Sequence, residues 1–500
     1  MSRQIRRVAG LMLVLFGALF VNLNVIQLLR ADDLANDPRN PRLIIKEYAI
    51  ERGPIVVGEQ EIVHSVLTED DLAYLRVYEE PFLYSHLTGY YSVVLLRSGL
   101  EQALNEDLTG TPSEVLAQNL AHLLSDRAEL GNTVRLTIDP DVQAEAARAL
   151  GDRIGAVVAL DPRTGAVLAS YSNPSYDPNL LSSHDRVAIN ENWQALQESP
   201  GRPLVDRVTR EFFPPGSAFK VVVAAAALER GIQPTTAFPD EQQFDVPQTE
   251  SDIGNFGGGL CAGGGTISLA DALRVSCNTT FARLGVELGS DALVDIAERF
   301  GFNRRIPYEL GVIESVIPKE LDPPSAAQSG IGQRDVRWTP LHAAMVAASI
   351  ANEGTIMQPH VVTEVLDPTG RVLRKGDTGP WSTPTHPSQV IDRDVALTLA
   401  DMMVAVVNEG TGTRAQIPGV RVGGKTGTAQ VPDRAPTVWF IGFAEDQVAV
   451  AVVLTDGGDD ATGGANAAPI ARAVMDAALD LRGWRGAGRW LGRGAGAGRW

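Results

Sequence analysis

An apolar segment close to the N-terminus constrains this chain more than any other feature. Residues 8–29 are apolar without a break as far as Val21, and only Asn22, Asn24 and Gln27 interrupt the stretch after it. An α-helix needs about 20 such residues to span the hydrocarbon core of a bilayer. The sequence therefore predicts one membrane-spanning helix, and no later segment is long and apolar enough to span again.

The charges on either side of this segment predict its orientation. Arg3, Arg6 and Arg7 precede it, and two aspartates follow it closely. The positive-inside bias then leaves residues 1–7 as a cytoplasmic tail and places everything after residue 30 outside the plasma membrane. The alternative is a cleaved signal peptide, which the length of the apolar stretch and the lack of an A-x-A-like site disfavour.

Length and charge limit what the exported part does. With 500 residues, the chain exceeds what one hydrophobic core supports, so a multidomain protein is expected. The 43 basic and 61 acidic side chains give a formal net charge of −18. Such a surface repels polyanions, so the sequence predicts no nucleic-acid partner.

The only two cysteines, Cys261 and Cys277, fall in the exported part, where a disulfide can persist. They are candidates for a disulfide, and closing a loop of about 15 residues stabilises a fold by roughly 3 kcal/mol in the chain-entropy model. Two buried free thiols remain the alternative, because sequence does not report the separation of the two residues.

Residues 31–133 carry no catalytic pattern. Short β-rich runs occur at Leu43–Ile45, Ile55–Val57 and Ser92–Leu96, and a polar helical stretch covers Ser113–Arg127. We interpret this part as a small α+β pedestal of the dimerisation-domain kind between the membrane anchor and the remainder of the chain.

Residues 134–481 have the order of elements expected of an α+β enzyme. A helix feeds a β-hairpin, two Ala-rich helices read as buried, and a second hairpin lies near the end of this part. The predicted elements are helices Pro140–Leu150, 221–229 and Pro340–Ala351, and strands Ala156–Leu160, Ala166–Ser170, Val438–Phe443 and Val448–Leu454.

The final stretch, residues 482–500, is built almost entirely of Gly, Ala, Arg, Leu and Trp and contains no acid. Such low complexity cannot form a core, so we expect a disordered tail. Binding of its arginines and tryptophans to an anionic membrane or wall polymer is the alternative.

A first chemical pattern is Ser217-Ala218-Phe219-Lys220, which follows a Pro-Pro-Gly turn and opens an Ala-rich helix. Positions i and i+3 share a helical face, so the lysine amine is expected to touch the serine hydroxyl. A serine hydroxyl needs an adjacent base to attack a carbonyl, and a buried lysine with a lowered pKa can be that base. Alone, S-x-x-K is a weak signal.

Two further patterns follow in order, Ser276-Cys277-Asn278 and Lys425-Thr426-Gly427-Thr428. Ser276 can relay a proton between the two lysines and a leaving amine, and the Asn278 amide can bind a substrate backbone. By itself, Ser276-Cys277-Asn278 is an ordinary helix N-cap, and Lys425-Thr426-Gly427-Thr428 is an exposed turn before a strand. Three patterns in this order favour acyl transfer on a peptide.

The last pattern has the chemistry to hold a peptide C-terminus. The charge of Lys425 and the hydroxyls of Thr426 and Thr428 can bind a terminal carboxylate, while Gly427 allows close approach to a strand edge. The backbone N–H groups of Ser217 and Thr428 are the expected oxyanion hole.

S-x-x-K, S-x-N and K-T-G in this order resemble the signature of penicillin-binding proteins and serine β-lactamases. The resemblance extends to Pro214-Pro215-Gly216 before the serine, to Gly332-Gln333, and to Trp439–Gly442 after K-T-G. Upstream, Arg52–Ile55 and Ser98–Glu101 resemble the N-terminal motifs of class B penicillin-binding proteins, of the actinobacterial PbpA type.

One segment departs from that class. Val56–Glu59 stands where an Asp-Arg-Asn-Gly-like turn is common, which affects the N-terminal assignment and not the catalytic one.

The resemblance implies an α+β fold: a five-stranded antiparallel sheet flanked by helices, with an all-helical lobe that carries S-x-N. It also implies a D,D-transpeptidase that cross-links the D-Ala-D-Ala ends of peptidoglycan stem peptides in cell-wall growth or division. β-Lactams are expected to acylate such an enzyme on Ser217. The resemblance implies no metal or organic cofactor. About 100 residues between anchor and catalytic part are too few for a glycosyltransferase domain. A membrane polymerase of the shape, elongation, division and sporulation family is therefore the implied partner.

Other functions share these motifs. A D,D-carboxypeptidase differs only in passing the acyl group to water, and a β-lactamase or β-lactam sensor differs in the fate of its acyl-enzyme. No E-x-x-L-N segment follows Ser276 to supply the second base of a class A β-lactamase. A catalytically silent division scaffold is the non-enzymatic alternative, which the intact Ser217, Lys220 and Lys425 disfavour.

Overall fold

The computed structural model describes residues 3–25, 48–70, 72–110, 130–383, 388–431, 434–458 and 460–481. The predictions made for Leu43–Ile45, Ser113–Arg127 and the tail 482–500 lie outside these residues.

The described helices are α1 (Arg3–Asn24), α2 (Pro81–Thr88), α3 (Gly99–Ala103), α4 (Asn105–Thr109), α5 (Pro140–Leu150), α6 (Asn179–Ser182), α7 (Arg186–Glu198), α8 (Lys220–Glu229), α9 (Leu269–Val275), α10 (Asn278–Phe300), α11 (Pro323–Gly330), α12 (Pro340–Ala351), α13 (Arg393–Glu409) and α14 (Ala468–Leu481). The strands are β1 (Ile55–Val57), β2 (Gln60–Leu67), β3 (Tyr74–Tyr78), β4 (Tyr91–Ser92), β5 (Leu96–Arg97), β6 (Thr133–Leu136), β7 (Gly155–Leu160), β8 (Val167–Asn173), β9 (Ala237–Pro239), β10 (Gln243–Asp245), β11 (Asp252–Gly254), β12 (Thr266–Ser268), β13 (Val362–Leu366), β14 (Val372–Lys375), β15 (Val422–Val431), β16 (Arg434–Ala444) and β17 (Val448–Leu454).

Helix α1 carries the apolar N-terminal segment. Its stretch Ile5–Asn24 has a mean hydropathy of 1.7 and packs against nothing, so it is long and apolar enough to cross a membrane. This agrees with a membrane anchor. The helix begins at Arg3, earlier than predicted, and residues 26–29 of the predicted span are not described.

The central sheet has the strand order β15-β16-β17-β7-β8, and every neighbouring pair is antiparallel. The predicted five-stranded antiparallel sheet is confirmed. Strand β17 is buried along its whole length because helices cover both faces of the sheet. Its Val450 and Val452 pack toward α5 and α14, whereas Ala449 and Ala451 belong to the core on the α8 and α12 side.

A second sheet contains strands from both the pedestal, residues 31–133, and the predicted catalytic part, residues 134–481. Its order is β14-β13-β6-β1-β2-β3, so the pair Val362–Leu366 and Val372–Lys375 completes a sheet that begins at Ile55–Val57. Strand β6 spans the predicted boundary at residues 133 and 134. The two parts therefore share one sheet, a pairing across more than 200 residues of chain that local sequence patterns do not report.

The run at Ser92–Leu96 is not a single strand. Tyr91–Ser92 and Leu96–Arg97 pair with each other as a short hairpin, and Leu96 has a left-handed backbone with a φ of 65°. The β-rich composition is real, but the chain turns back inside it.

A buried ionic triad organises the pedestal around Glu101, at the start of α3. The Arg52 Nε lies 2.5 Å and the Arg76 Nε 2.7 Å from the two carboxylate oxygens, and all three side chains are almost wholly buried. The Arg76 guanidinium also donates to the Gly53 carbonyl at 2.8 Å, and that of Arg52 stacks on the Tyr91 ring. Burial alone would raise the pKa of Glu101, but the two arginine charges outweigh it and hold that pKa below its usual value.

We predict that Glu101→Gln lowers the free energy of unfolding by roughly 3 kcal/mol at neutral pH, because two buried guanidinium groups lose their counter-charge. Chemical denaturation of the detergent-solubilised chain measures this. The difference between wild type and variant should shrink below about pH 4, since a lowered folded-state pKa stabilises only while the carboxylate is ionised. Asp401→Asn, which breaks the exposed pair with Arg421, is the control and should leave the midpoint in place. An unchanged midpoint for Glu101→Gln would contradict the role given to the triad.

Candidate active site

The turn that carries Ser217 is held between two other segments. The Gly216 N–H donates to the Gly332 carbonyl at 2.9 Å, and the Trp439 indole donates to the Pro214 carbonyl at 3.0 Å. Gly216 has a φ of 52°, and a Cβ there would lie 2.6 Å from the Thr428 carbonyl oxygen. Only glycine lets this turn approach the K-T-G strand so closely.

Ser217 lies in a 3-10 turn, Gly216–Phe219, and the α-helix α8 begins only at Lys220. The lysine amine makes its described hydrogen bonds away from Ser217: to the Ser276 carbonyl at 2.8 Å, to the Ser276 Oγ at 3.4 Å and to the Asn278 Oδ1 at 2.8 Å. The expected contact with the Ser217 hydroxyl is not among them. A buried amine takes the carbonyl and amide acceptors within reach, and these come from a distant part of the chain.

Ser276 joins the two lysines. It lies between α9 and α10 with a left-handed backbone, φ 63° and ψ 42°. Its Oγ accepts a hydrogen bond from the Lys425 amine at 2.9 Å, and the Lys220 amine lies 3.4 Å from the same oxygen. A non-glycine residue in this conformation costs roughly 1–3 kcal/mol, and such strain is characteristic of functional sites.

Both lysine side chains are completely buried. Burial, and after it the nearby charge of Lys425, lower the pKa of Lys220 well below its usual value. Burial alone lowers the pKa of Lys425 to about 7. Removing an ammonium group from water disfavours its charged form, so the site favours neutral amines, which can accept a proton.

Strand β15 forms one wall of the cleft and is an edge strand of the central sheet. A Cβ on Gly427 would lie 2.7 Å from the Pro215 carbonyl oxygen, so this position brings the strand against the nucleophile turn. The Thr426 Oγ1 shares a hydrogen bond of 2.6 Å with the Thr411 Oγ1, which orients the threonine hydroxyl.

The cleft has a volume of about 380 Å³ and brings together most of the predicted residues. Ser217, Ser276, Asn278, Thr426 and Thr428 line it. Lys220 and Lys425 do not line the cleft; their amines are buried and are hydrogen-bonded to the Ser276 Oγ. A disulfide joins Cys261 to Cys277, the middle residue of the S-x-N segment, with the Cα atoms 5.8 Å apart.

Several cleft residues were not predicted. Thr411, Phe256 and the segment 462–465 line the same space, and the Gly254 carbonyl accepts a hydrogen bond of 2.9 Å from the Asn278 amide. None belongs to a recognisable motif, and their positions depend on long-range packing. A local pattern does not announce them.

Among the described residues, Asp240, Cys261 and Cys277 form the one cluster with the spacing of metal ligands. The two sulfurs are bonded to each other, and the Asp240 carboxylate accepts the backbone N–H groups of Cys261, Ala262 and Gly264 at 2.8 Å each. The donors are thus already occupied, and the cluster orders a loop.

A cleft lined by Ser217 and Ser276, two buried lysines bonded to Ser276 and a K-T-G edge strand define a site of the class found in serine enzymes that form an acyl-enzyme. Residues 155–476 match the family described as penicillin binding protein transpeptidase domain, and residues 52–134 match the penicillin binding protein A dimerisation domain. The chain belongs to the penicillin-binding protein family, as a class B member of the PbpA type.

Named relatives and solved structures agree. The chain is 41% identical over 494 residues to peptidoglycan D,D-transpeptidase PbpA of Mycolicibacterium smegmatis, covering 96% of this chain and 99% of that protein. It is 38% identical over 496 residues to the protein of the same name from Mycobacterium tuberculosis, with the same coverage. The ceftriaxone acyl-enzyme complex of M. tuberculosis penicillin-binding protein A superposes with a TM-score of 0.83 at 37% identity, over 87% of this chain and all of that one.

The lysine burial predicts a pH dependence of stability. Since the folded pKa of Lys425 is about 7, the folded state binds fewer protons than the unfolded state above that pH. Stability should therefore rise from about pH 7 toward about pH 10, and Lys425→Met should reduce the slope by up to about 1.4 kcal/mol per pH unit.

Urea denaturation between about pH 7.5 and pH 9.5 measures this slope. Lys319→Met, at an exposed position, is the matched control and should retain the wild-type slope. Identical slopes for wild type and Lys425→Met would show that the Lys425 amine is not held neutral by burial.

Proposed function

We propose that this chain is a peptidoglycan D,D-transpeptidase that works through an acyl-enzyme on Ser217. One observation carries this proposal: the Ser276 hydroxyl lies between two buried lysine amines in the cleft that Ser217 lines. The relatives named peptidoglycan D,D-transpeptidase, and the acyl-enzyme complexes of a similar structure, support the same reaction.

In the acylation step, the neutral Lys220 amine takes the proton of the Ser217 hydroxyl as its oxygen attacks the carbonyl of the penultimate D-Ala. Burial favours the neutral form of this amine, which is the form that can act as a base. The backbone N–H groups of Ser217 and Thr428 are the proposed oxyanion hole, in line with the close approach of Gly216 to Thr428.

In the departure step, Ser276 is the proposed proton relay. Its hydroxyl accepts from Lys425 at 2.9 Å and lies 3.4 Å from Lys220, so it can pass a proton to the nitrogen of the leaving D-Ala. The bond between the carbonyl carbon and this nitrogen breaks, and the acyl group remains on Ser217. An amine of a neighbouring stem peptide then attacks the ester and releases the serine.

Substrate binding is assigned to the wall of the cleft that strand β15 forms. The hydroxyls of Thr426 and Thr428, which line the cleft, would hold the terminal carboxylate of the stem peptide, and Gly427 admits its backbone to the strand edge. Asn278, held by Lys220 and Gly254, would bind the peptide backbone. β-Lactams enter because their strained amide mimics the D-Ala-D-Ala bond.

For the cell, we propose a single-pass plasma-membrane protein with residues 1–7 in the cytoplasm and the helix 8–29 as anchor. The pedestal 31–133 and the catalytic part 134–481 would then face the wall. The apolar, unpacked α1 supports the anchor. A membrane glycan polymerase of the shape, elongation, division and sporulation family is the proposed partner that supplies strands to cross-link.

We predict that a fluorescent penicillin labels the detergent-solubilised chain covalently and stays bound for minutes or longer. Ser217→Ala should abolish labelling on a denaturing gel, because the proposed ester forms on the Ser217 hydroxyl. Ser251→Ala, on an exposed loop, is the control and should label normally. Loss of label within seconds would indicate a β-lactamase, and an unlabelled wild type would indicate a silent scaffold.

A second assay separates transpeptidase from carboxypeptidase. With a D-Ala-D-Ala pentapeptide as donor and a stem peptide with a free side-chain amine as acceptor, mass spectrometry should show cross-linked product that increases with acceptor concentration. The acceptor amine competes with water for one acyl-enzyme, so D-Ala release should continue as hydrolysis falls. Tetrapeptide as the sole product at every acceptor concentration would assign a carboxypeptidase.

A further inference from the structure

The helix α10, which opens with Asn278, is capped by a residue from a different part of the chain. The Asn255 Oδ1 accepts the backbone N–H of Asn278 at 3.0 Å and that of Thr279 at 3.1 Å. The residue at the N-cap position itself, Cys277, makes no side-chain capping bond, and its sulfur is bonded to Cys261. Asn255 therefore performs the task that a side chain at position 277 ordinarily performs.

Asn255 is itself held firmly. Its amide nitrogen donates to the Glu241 carbonyl at 2.8 Å and to the Gly259 carbonyl at 3.0 Å. The preceding residue, Gly254, accepts the Asn278 side-chain amide at 2.9 Å. One short segment thus fixes both the backbone and the side chain of Asn278.

Asn255 is one hydrogen bond away from a residue that contacts the proposed base, Lys220. The Asn278 Oδ1 accepts the Lys220 amine at 2.8 Å, and the Ser276 carbonyl, two residues earlier, accepts the same amine at 2.8 Å. A rotation of the first turn of α10 would move both acceptors of the proposed base together. Displacements of about 1 Å in such groups are enough to slow a reaction by roughly a hundredfold.

We propose that Asn255 is a positioning residue of this enzyme: by capping α10 through space, it fixes Asn278 and Ser276 relative to Lys220. The inference rests on the proposed function, since it concerns the rate of serine acylation. It assigns a role to a residue outside the three sequence motifs, and the part of Asn255 that matters is its acceptor oxygen.

The test is the second-order rate of acylation of the detergent-solubilised full chain by a fluorescent penicillin, with thermal unfolding measured in parallel. Asn255→Ala removes the acceptor and should slow acylation by about tenfold or more. Asn255→Asp keeps an oxygen acceptor for both N–H groups and should remain within about threefold of wild type, although it loses the amide donor.

Asn303→Ala is the matched control. Asn303 also bonds two backbone groups, accepting the Ile317 N–H and donating to the Ile317 carbonyl, and its backbone is left-handed with a φ of 58°. This variant should lower the unfolding temperature at least as much as Asn255→Ala but acylate at the wild-type rate.

The outcomes separate the two claims. Wild-type acylation by Asn255→Ala, an equal loss in Asn303→Ala, or an Asn255→Asp variant as slow as Asn255→Ala would each overturn the inference while leaving the proposed function intact. If Asn255→Ala does not fold, Asn255→Leu, which also lacks the acceptor oxygen, takes its place, and a wild-type rate in that variant would overturn the inference. An unlabelled wild type would refute the proposed function, and the inference with it.

Discussion

The site depends on two lysine amines that are buried against one serine hydroxyl. Lys220 comes from a helix, Lys425 from the edge strand of the central sheet, and Ser276 from a strained connection between two helices. Removing an ammonium group from water is costly, and this cost is what lowers both pKa values. The same desolvation would destabilise the fold if the amines lacked acceptors, and the Ser276 and Asn278 oxygens supply them.

Because the three groups come from separate segments, much of the surrounding structure serves to bring those segments into contact. Gly216 and Gly427 allow the nucleophile turn and the K-T-G strand to touch through their backbones. The helical lobe approaches from the other side, with α10 capped from the loop at Asn255 and tethered by the Cys261–Cys277 disulfide. The cleft thus lies between the edge strand of the central sheet and a lobe that its own cap and disulfide hold together.

The pedestal is joined to the catalytic part by shared structure. Strands β13 and β14 complete the sheet that begins at Ile55–Val57. The buried Arg52–Glu101–Arg76 triad joins strand β3 of that sheet to helix α3. The sheet of the pedestal therefore includes strands that follow Ser217 by more than 140 residues.

The sequence by itself determined the apolar N-terminal helix, the class of active site and the elements with strong local signals. Three elements have the predicted bounds: Pro140–Leu150, Pro340–Ala351 and Val448–Leu454. Each of the two helices has a proline in its first turn and a side-chain N-cap, Asp139 or Thr339, before it, and the strand is an unbroken apolar run. Only the tertiary structure decided the partners of the Lys220 amine, the sheet that crosses the predicted domain boundary, and the places of Thr411 and Asn255. These depend on contacts between residues far apart along the chain, and neither helical nor strand periodicity carries information about such contacts.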